Sequence, residues 1–136
     1  MDGWLDNLVE SPEGIDAILR ECRRIAVLGI KTEAQRDRPA FYVPEYMARA
    51  GYDIVPVPVY FPDAREILGR PVYRKLADVP QPVDMVNVFR RSHDIPPHLP
   101  DILAAHPRVV WIQTGIRNDE VAEALARAGI KVVQDR

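Results

Sequence analysis

Ile25-Ala26-Val27-Leu28-Gly29-Ile30 is an unbroken apolar run with one glycine near its end. A strand with one wet face alternates apolar and polar residues. A run without alternation is covered on both faces, the mark of a strand inside a parallel sheet. Just upstream the period is that of a helix. Ser11-Pro12-Glu13 sets a cap, a proline and an acid where a helix begins. Ile15, Ile18, Leu19 and Cys22 then recur at i, i+3, i+4 and i+7, and Arg20, Arg23 and Arg24 crowd the carboxyl end.

Downstream the alternation repeats. After a polar loop from Lys31 to Pro39, the spacing of Tyr42, Val43, Tyr46, Met47 and Ala50 predicts a second helix with these residues inward and Gly51 as its stop. Ile54 to Val57 reads as the second strand, bounded by Pro56, Pro58 and Pro62, which cannot donate to a central ladder. Ala64 to Leu68 predicts one helical turn ended by Gly69, and Leu76 to Val79 predicts another. Val83 to Phe89 is the third strand. Pro96, Pro97 and Pro100 mark a helix start, with Leu99, Ile102 and Leu103 as its face. Val109 to Gln113 is the fourth strand, with Trp111 read as core. Asn118 caps a helix that carries Asp119 and Glu120 in its first turn, Val121, Ala124, Leu125 and Ala128 inward, and Gly129 past its end. Ile130 to Val133 closes as the fifth strand.

Strands and helices in this alternation predict the α/β class, a Rossmann-like doubly wound parallel five-stranded sheet with helices on both faces, in the order 3-2-1-4-5. The length suits one domain over residues 1–136, with residues 1–23 as an N-terminal helical segment packed on it.

Eighteen Lys plus Arg against twenty Asp plus Glu give a net charge of −2, so the broad basic footprint of a nucleic-acid binder is missing. No apolar run approaches the roughly 20 residues of a membrane span. The start Met1-Asp2-Gly3-Trp4-Leu5-Asp6 is acidic where a signal peptide is basic. The expectation is a soluble cytoplasmic protein with neither a nucleic-acid nor a membrane partner. The single Cys22 excludes an intrachain disulfide and suits a buried small side chain. His93, His98 and His106 lack the i, i+4 spacing of a helical metal site, so no metal is expected.

In an open parallel sheet the ligand sits beyond the carboxyl ends of the strands, where the strand order reverses beside the first strand. Four loops are candidates. The first, Gly29 to Pro39, sets Lys31, Thr32, Arg36 and Arg38 before a helix amino terminus, a place that favours an anion; any of these four side chains can add a bond to phosphate. The three-glycine dinucleotide fingerprint is absent, since Gly29 stands alone, and Val57-Pro58-Val59 occupies the place of the ribose-binding acid. The third loop opens with Phe89-Arg90-Arg91, two adjacent cations whose side chains diverge. The fourth, Gln113-Thr114-Gly115-Ile116-Arg117, offers a neutral amide and a glycine that lets backbone approach a ligand. Thr32, Ser92 and Thr114 lie in no nucleophile elbow, and His93 is the one base within reach of the loops, so no catalytic residue is assigned.

Taken in order, Ile25 to Gly29, Gly51-Tyr52 with Val55-Pro56-Val57, Val83-Asp84-Met85-Val86 with Val88-Phe89-Arg90, Trp111-Ile112-Gln113 with Gly115-Ile116, and Val132-Val133 with Asp135-Arg136 resemble the small stand-alone CoA-binding proteins. These are in turn similar to the amino-terminal domain of the succinyl-CoA synthetase alpha subunit. The resemblance covers residues 24–136. It implies coenzyme A, or an acyl-CoA, held across the carboxyl edge of the sheet. By position it implies Gly29, Lys31 and Thr32 at the phosphate turn, with Val57 and Pro58 after the second strand. It also implies Phe89, Arg90 and Arg91 after the third strand, and Gln113 and Gly115 after the fourth. Arg38 joins this set from the reading of the first loop. Two departures stand out: Pro58-Val59 replaces the family's usual Asn-Pro, and Ile30-Lys31 its small Ala-Ser pair. The synthetase's phosphohistidine domain is not in the chain, so the resemblance argues for binding without autonomous catalysis. A nicotinamide-dependent oxidoreductase and an accessory CoA-binding subunit of an acyl-CoA ligase are the alternatives, and a protein partner is left unspecified.

Overall fold

The computed structural model describes residues 3–136. Met1 and Asp2, the start of the segment read as unlike a signal peptide, lie outside the described residues. Ser11 caps α1 (Pro12–Glu21) by accepting the Gly14 N–H at 3.1 Å. β1 (Arg24–Leu28) and α2 (Pro39–Arg49) follow, then β2 (Asp53–Val57). A small hairpin, β3 (Glu66–Ile67) and β4 (Arg70–Pro71), and a short turn at Leu76–Asp78 lead to β5 (Met85–Val88). α3 (Leu99–Ala105), β6 (Val109–Ile112), α4 (Asp119–Arg127) and β7 (Lys131–Val133) complete the chain.

The five main strands are parallel, in the order β2-β1-β5-β6-β7. Alternate residues of each strand face opposite cores. Ala26, Leu28, Val86 and Val110 pack under Ile102, Val121 and Leu125 of α3 and α4. Ile25, Val27, Ile54 and Met85 pack under Ile18, Cys22 and Phe41 on the side of α1 and α2. Helices therefore cover both faces, and β1 is buried on both, as its unbroken apolar run requires.

The strand order corrects the sequence reading. Counting the five parallel strands along the chain, it is 2-1-3-4-5 and not 3-2-1-4-5. Pro56 gives the reason. It sits in β2 opposite Val27 and has no N–H, so β2 can serve one ladder only and must lie at an edge. The third strand of the five then has to take the free side of β1. The reversal of order still falls beside β1, now between β1 and β5.

Four local readings change as well. The helical turn expected at 64–68 is the β3/β4 hairpin, with Leu68 and Gly69 at φ of 55° and 72°, the two left-handed positions of a primed turn. So short a helix has no packing to offset its nucleation, whereas the hairpin buries Ile67 completely. In α2 the inward residues are Ala40, Phe41 and Pro44, while Tyr42 and Tyr46 are 48% and 74% exposed. Phe41 buries a full ring without a hydroxyl to satisfy and turns the helix accordingly. Trp111 is half-buried, its large ring leaning on the cluster on the α1 and α2 face. In α4, Val121 and Leu125 are inward as read, joined by Ala122 and Ala126, while Ala128 is the exposed C-cap.

The opposite pole of the sheet is held by Asp84. Its Oδ2 accepts the Arg23 and Arg24 N–H groups at 2.8 and 2.9 Å, fixing the start of β1 against β5. At the far edge Leu8 pairs with Val132, and the Val9 N–H donates to the Val132 carbonyl at 2.9 Å. Cys22 is buried, and burial together with the nearby Asp84 carboxylate pushes its thiol from 9.0 up to about 11.

Candidate ligand-binding cleft

At the carboxyl ends of β2, β1 and β5 the chain locks three strand ends together. Gly29 turns out of β1 with φ of +89°, and a Cβ there would stand inside van der Waals contact of the Phe89 carbonyl. Its N–H donates to the Val57 carbonyl, and the Phe89 N–H donates to the Leu28 carbonyl, both at 2.9 Å. Only glycine lets the first and third loops pass this closely.

Above this junction lies a cleft of about 800 Å³. Its first wall is the turn after β1 and the start of α2. Pro44 lacks the N–H that would bond the Ala40 carbonyl, and the Lys31 N–H takes that carbonyl at 3.1 Å. The loop is thus tied to the helix, with the Lys31 ammonium 5.8 Å from the Phe61 ring centroid. The second wall is Val59, Tyr60 and Phe61, in the loop after β2.

Arg90 rises from the end of β5 between these walls. Its guanidinium lies 5.5 Å from the Tyr60 ring centroid, Nη1 is 3.5 Å from the Tyr60 hydroxyl, and Nη2 is 4.0 Å from Asp94. The side chain is 15% exposed, yet its Nε is buried without a hydrogen-bond partner. A guanidinium has five N–H donors, and Tyr60 and Asp94 leave the Nε donor of this one without an acceptor. Behind it, His98 is held below its ordinary range, first by burial and then by the Arg90 charge. Arg38 and Arg91 stand exposed at the rim, and among the described residues neither is ion-paired. Gln113 closes the floor; its amide donates to Asn87, a 2% exposed side chain on β5 whose own amide points at the Met47 sulfur.

The structure therefore gathers Gly29, Lys31, Arg38, Phe89, Arg90, Arg91 and Gln113 in one cleft. Four others that the reading put in the site do not line it. Thr32 caps the short turn at Glu33–Gln35 and spends its hydroxyl on Gln35 and Ala34. Val57 is buried in β2, and Pro58 is buried beside it. Gly115 gives its N–H to Asp135 at 2.5 Å. Arg36, an open candidate in the first loop, donates to the Glu33 carbonyl. The lining also includes Tyr42, Tyr60, Phe61 and Thr114, which the reading did not place there. Tyr60-Phe61 is legible as an aromatic pair in the loop after β2; its meeting with Lys31 and Arg90 is not.

A second depression, about 500 Å³, lies between the N-terminal segment, α4 and β7. Arg117 in its lining is paired with Asp119 at 3.2 Å, and the depression is remote from the strand reversal. In the cleft over β1 and β5, Arg90 faces Asp94, while Lys31, Arg38 and Arg91 have no ion pair among the described residues.

A family model described as CoA binding domain matches residues 23–136. The uncharacterized protein YneT of Bacillus subtilis strain 168 is 36% identical over 121 residues, which are 89% of this chain and 86% of that protein. A solved structure from Thermus thermophilus is similar with a TM-score of 0.84 and 40% identity, over 93% of this chain and 92% of that one. Acetyl-coenzyme A synthetase 1 of Ca. Korarchaeum cryptofilum shares the fold at a TM-score of 0.62 and 22% identity, over 80% of this chain and 25% of its own. From its first strand to its last residue, then, this chain belongs to the CoA-binding domain family.

Proposed function

We propose that the protein binds coenzyme A or an acyl-CoA in this cleft and does not transform it, with residues 1–136 acting as one ligand-binding domain. The observation that carries the reading is Arg90, a nearly buried cation with an unpartnered Nε, set beside Lys31 and below Arg38 and Arg91. Phosphates would pair with Lys31, Arg38 and Arg91, which have no ion pair among the described residues, and with the exposed face of Arg90. The Tyr60 and Phe61 rings offer flat surfaces to a base. A nicotinamide dinucleotide is the poorer fit, because Val57 and Pro58 stand where its ribose needs an acid. Catalysis is left out because the cleft's Thr114 hydroxyl donates to the Arg136 carbonyl at 2.7 Å and faces no base. No helix among the described residues is long and apolar enough to cross a membrane, and a cytoplasmic setting, where thiols stay reduced, suits the single buried Cys22.

Thermal melting with CoA, acetyl-CoA, dephospho-CoA, ADP and NAD tests this. A ligand at about a hundred times its Kd adds about 2.7 kcal/mol, a shift of several degrees at this size. The expected ranking is CoA and acetyl-CoA well above ADP, with NAD inert. No shift with either thioester or thiol would overturn the binding reading, and release of free CoA from acetyl-CoA over time would overturn the non-catalytic one.

A further inference from the structure

Tyr60 and Phe61 are held from outside the cleft. The loop that carries them leaves β2 at Pro58 and turns at Phe61, whose φ of 63° is a left-handed conformation that a bulky side chain rarely adopts. Such a turn leaves several carbonyls pointing the same way. One guanidinium collects them: the two N–H groups of Arg74 Nη2 are shared among the carbonyls of Phe61 at 2.9 Å, Pro62 at 3.1 Å and Ala64 at 2.7 Å, and Nη1 donates to that of Tyr60 at 3.3 Å. The base of Arg74 is fixed in turn. Its neighbour Tyr73 donates its N–H to the Pro56 carbonyl at 3.0 Å, on the edge of the sheet that no other main strand uses. The β3/β4 hairpin brings the chain back to that edge.

We propose that Arg74, which lines no part of the cleft, is a positioning residue for the ligand site: it clamps the loop at 60–64 so that Tyr60 and Phe61 stand over Arg90 and Lys31. The proposal rests on the CoA reading for its ligand and on the clamp geometry for its mechanism. Charge-assisted bonds from a fork-shaped donor to four carbonyls fix a loop as no apolar contact of that size would. With the loop fixed, the two rings hold the two cations in place before a ligand arrives. Without it, the ligand has to order loop, rings and cations on binding.

The test is CoA affinity by calorimetry for Arg74→Ala, Arg74→Lys and the double variant Tyr60→Ala/Phe61→Ala, with each Arg74 variant also made in the double-variant background. The expected loss is about tenfold for Arg74→Ala, the cost of ordering a few free side chains, with Arg74→Lys between it and the parent. In the background without the two rings, Arg74→Ala is expected to cost nothing more, because it acts through them. A purely structural role would add its full effect in that background, and that result would overturn the proposal, as would parent affinity in Arg74→Ala. Should Arg74→Ala not fold, Arg74→Lys carries the same comparison. If the parent itself fails to bind CoA, the functional reading falls, and amide exchange at Tyr60 to Ala64 decides the clamp alone: faster exchange in the variant upholds it, unchanged exchange overturns it.

Discussion

Arg90 and Gly29 share one junction and answer to different measurements. Removing the Arg90 side chain takes charged bonds from the ligand, so Arg90→Ala is expected to weaken CoA binding by about 1.5–3 kcal/mol, read by calorimetry, while the melting temperature stays near the parent's. Gly29→Ala meets the Phe89 carbonyl and a left-handed φ, so a loss of about 1–3 kcal/mol of fold stability is expected in urea unfolding. Cys22 gives a pH signature. Its thiol keeps its proton to about 11 when folded and to 9.0 otherwise, so the stability this contributes is whole below pH 9.0 and is lost as pH rises toward 11. Labelling by a thiol reagent at pH 8 is accordingly expected to be slow until the protein is unfolded. Lys31, Arg90 and Arg91 were legible because a cation directly after a buried strand has few places to go but the strand's open end. Thr32 and Gly115 fall outside the cleft's lining because their bonds go to Gln35 and Asp135, and the second of these partners is brought near only by the closing of the sheet.

Among the elements, β1 and β5 owe their common start to Asp84, at the pole opposite the cleft. Asp84→Ala leaves two strand N–H groups without a charged acceptor, an expected cost of about 2–3 kcal/mol in urea unfolding, with CoA affinity per folded molecule unchanged. Strands, caps and helix ends were readable because their signals are local: Ser11 and Asn118 cap the helices they precede. Helix faces were less readable. In α2, tyrosine and phenylalanine neighbours compete for the interior, and it is Phe41 that joins Ile54 and Val27 in the core on that face. The β3/β4 hairpin escaped notice for the same reason, since its two-residue strands gain their stability from burying Ile67 and not from any repeat of their own.

For the whole molecule, charge is distributed unevenly: the net charge is −2, yet Lys31, Arg38, Arg90 and Arg91 collect at one edge. A polyanion is drawn there through a field that salt screens over about 8–10 Å. CoA affinity is therefore expected to fall several-fold between about 0.05 and about 0.5 M salt in calorimetric titrations, with little change in melting temperature. The fold class was legible because five apolar runs alternate with helical periods. The strand order was not read correctly, although Pro56 held the information: a proline inside a strand makes that strand an edge, and one edge assignment settles the sheet.

The same proline bears on how the protein behaves among its own copies. β2 offers no donor at Pro56, whose carbonyl is already taken by Tyr73, and the far rim beyond β7 is covered by Leu8 and Val9. At these points a docking neighbour finds the outward hydrogen bonds missing or already taken, which interrupts templated growth of one sheet from another. Strand-to-strand self-association is thereby disfavoured at both rims, and contacts between copies are left to surfaces that side chains, not backbones, control.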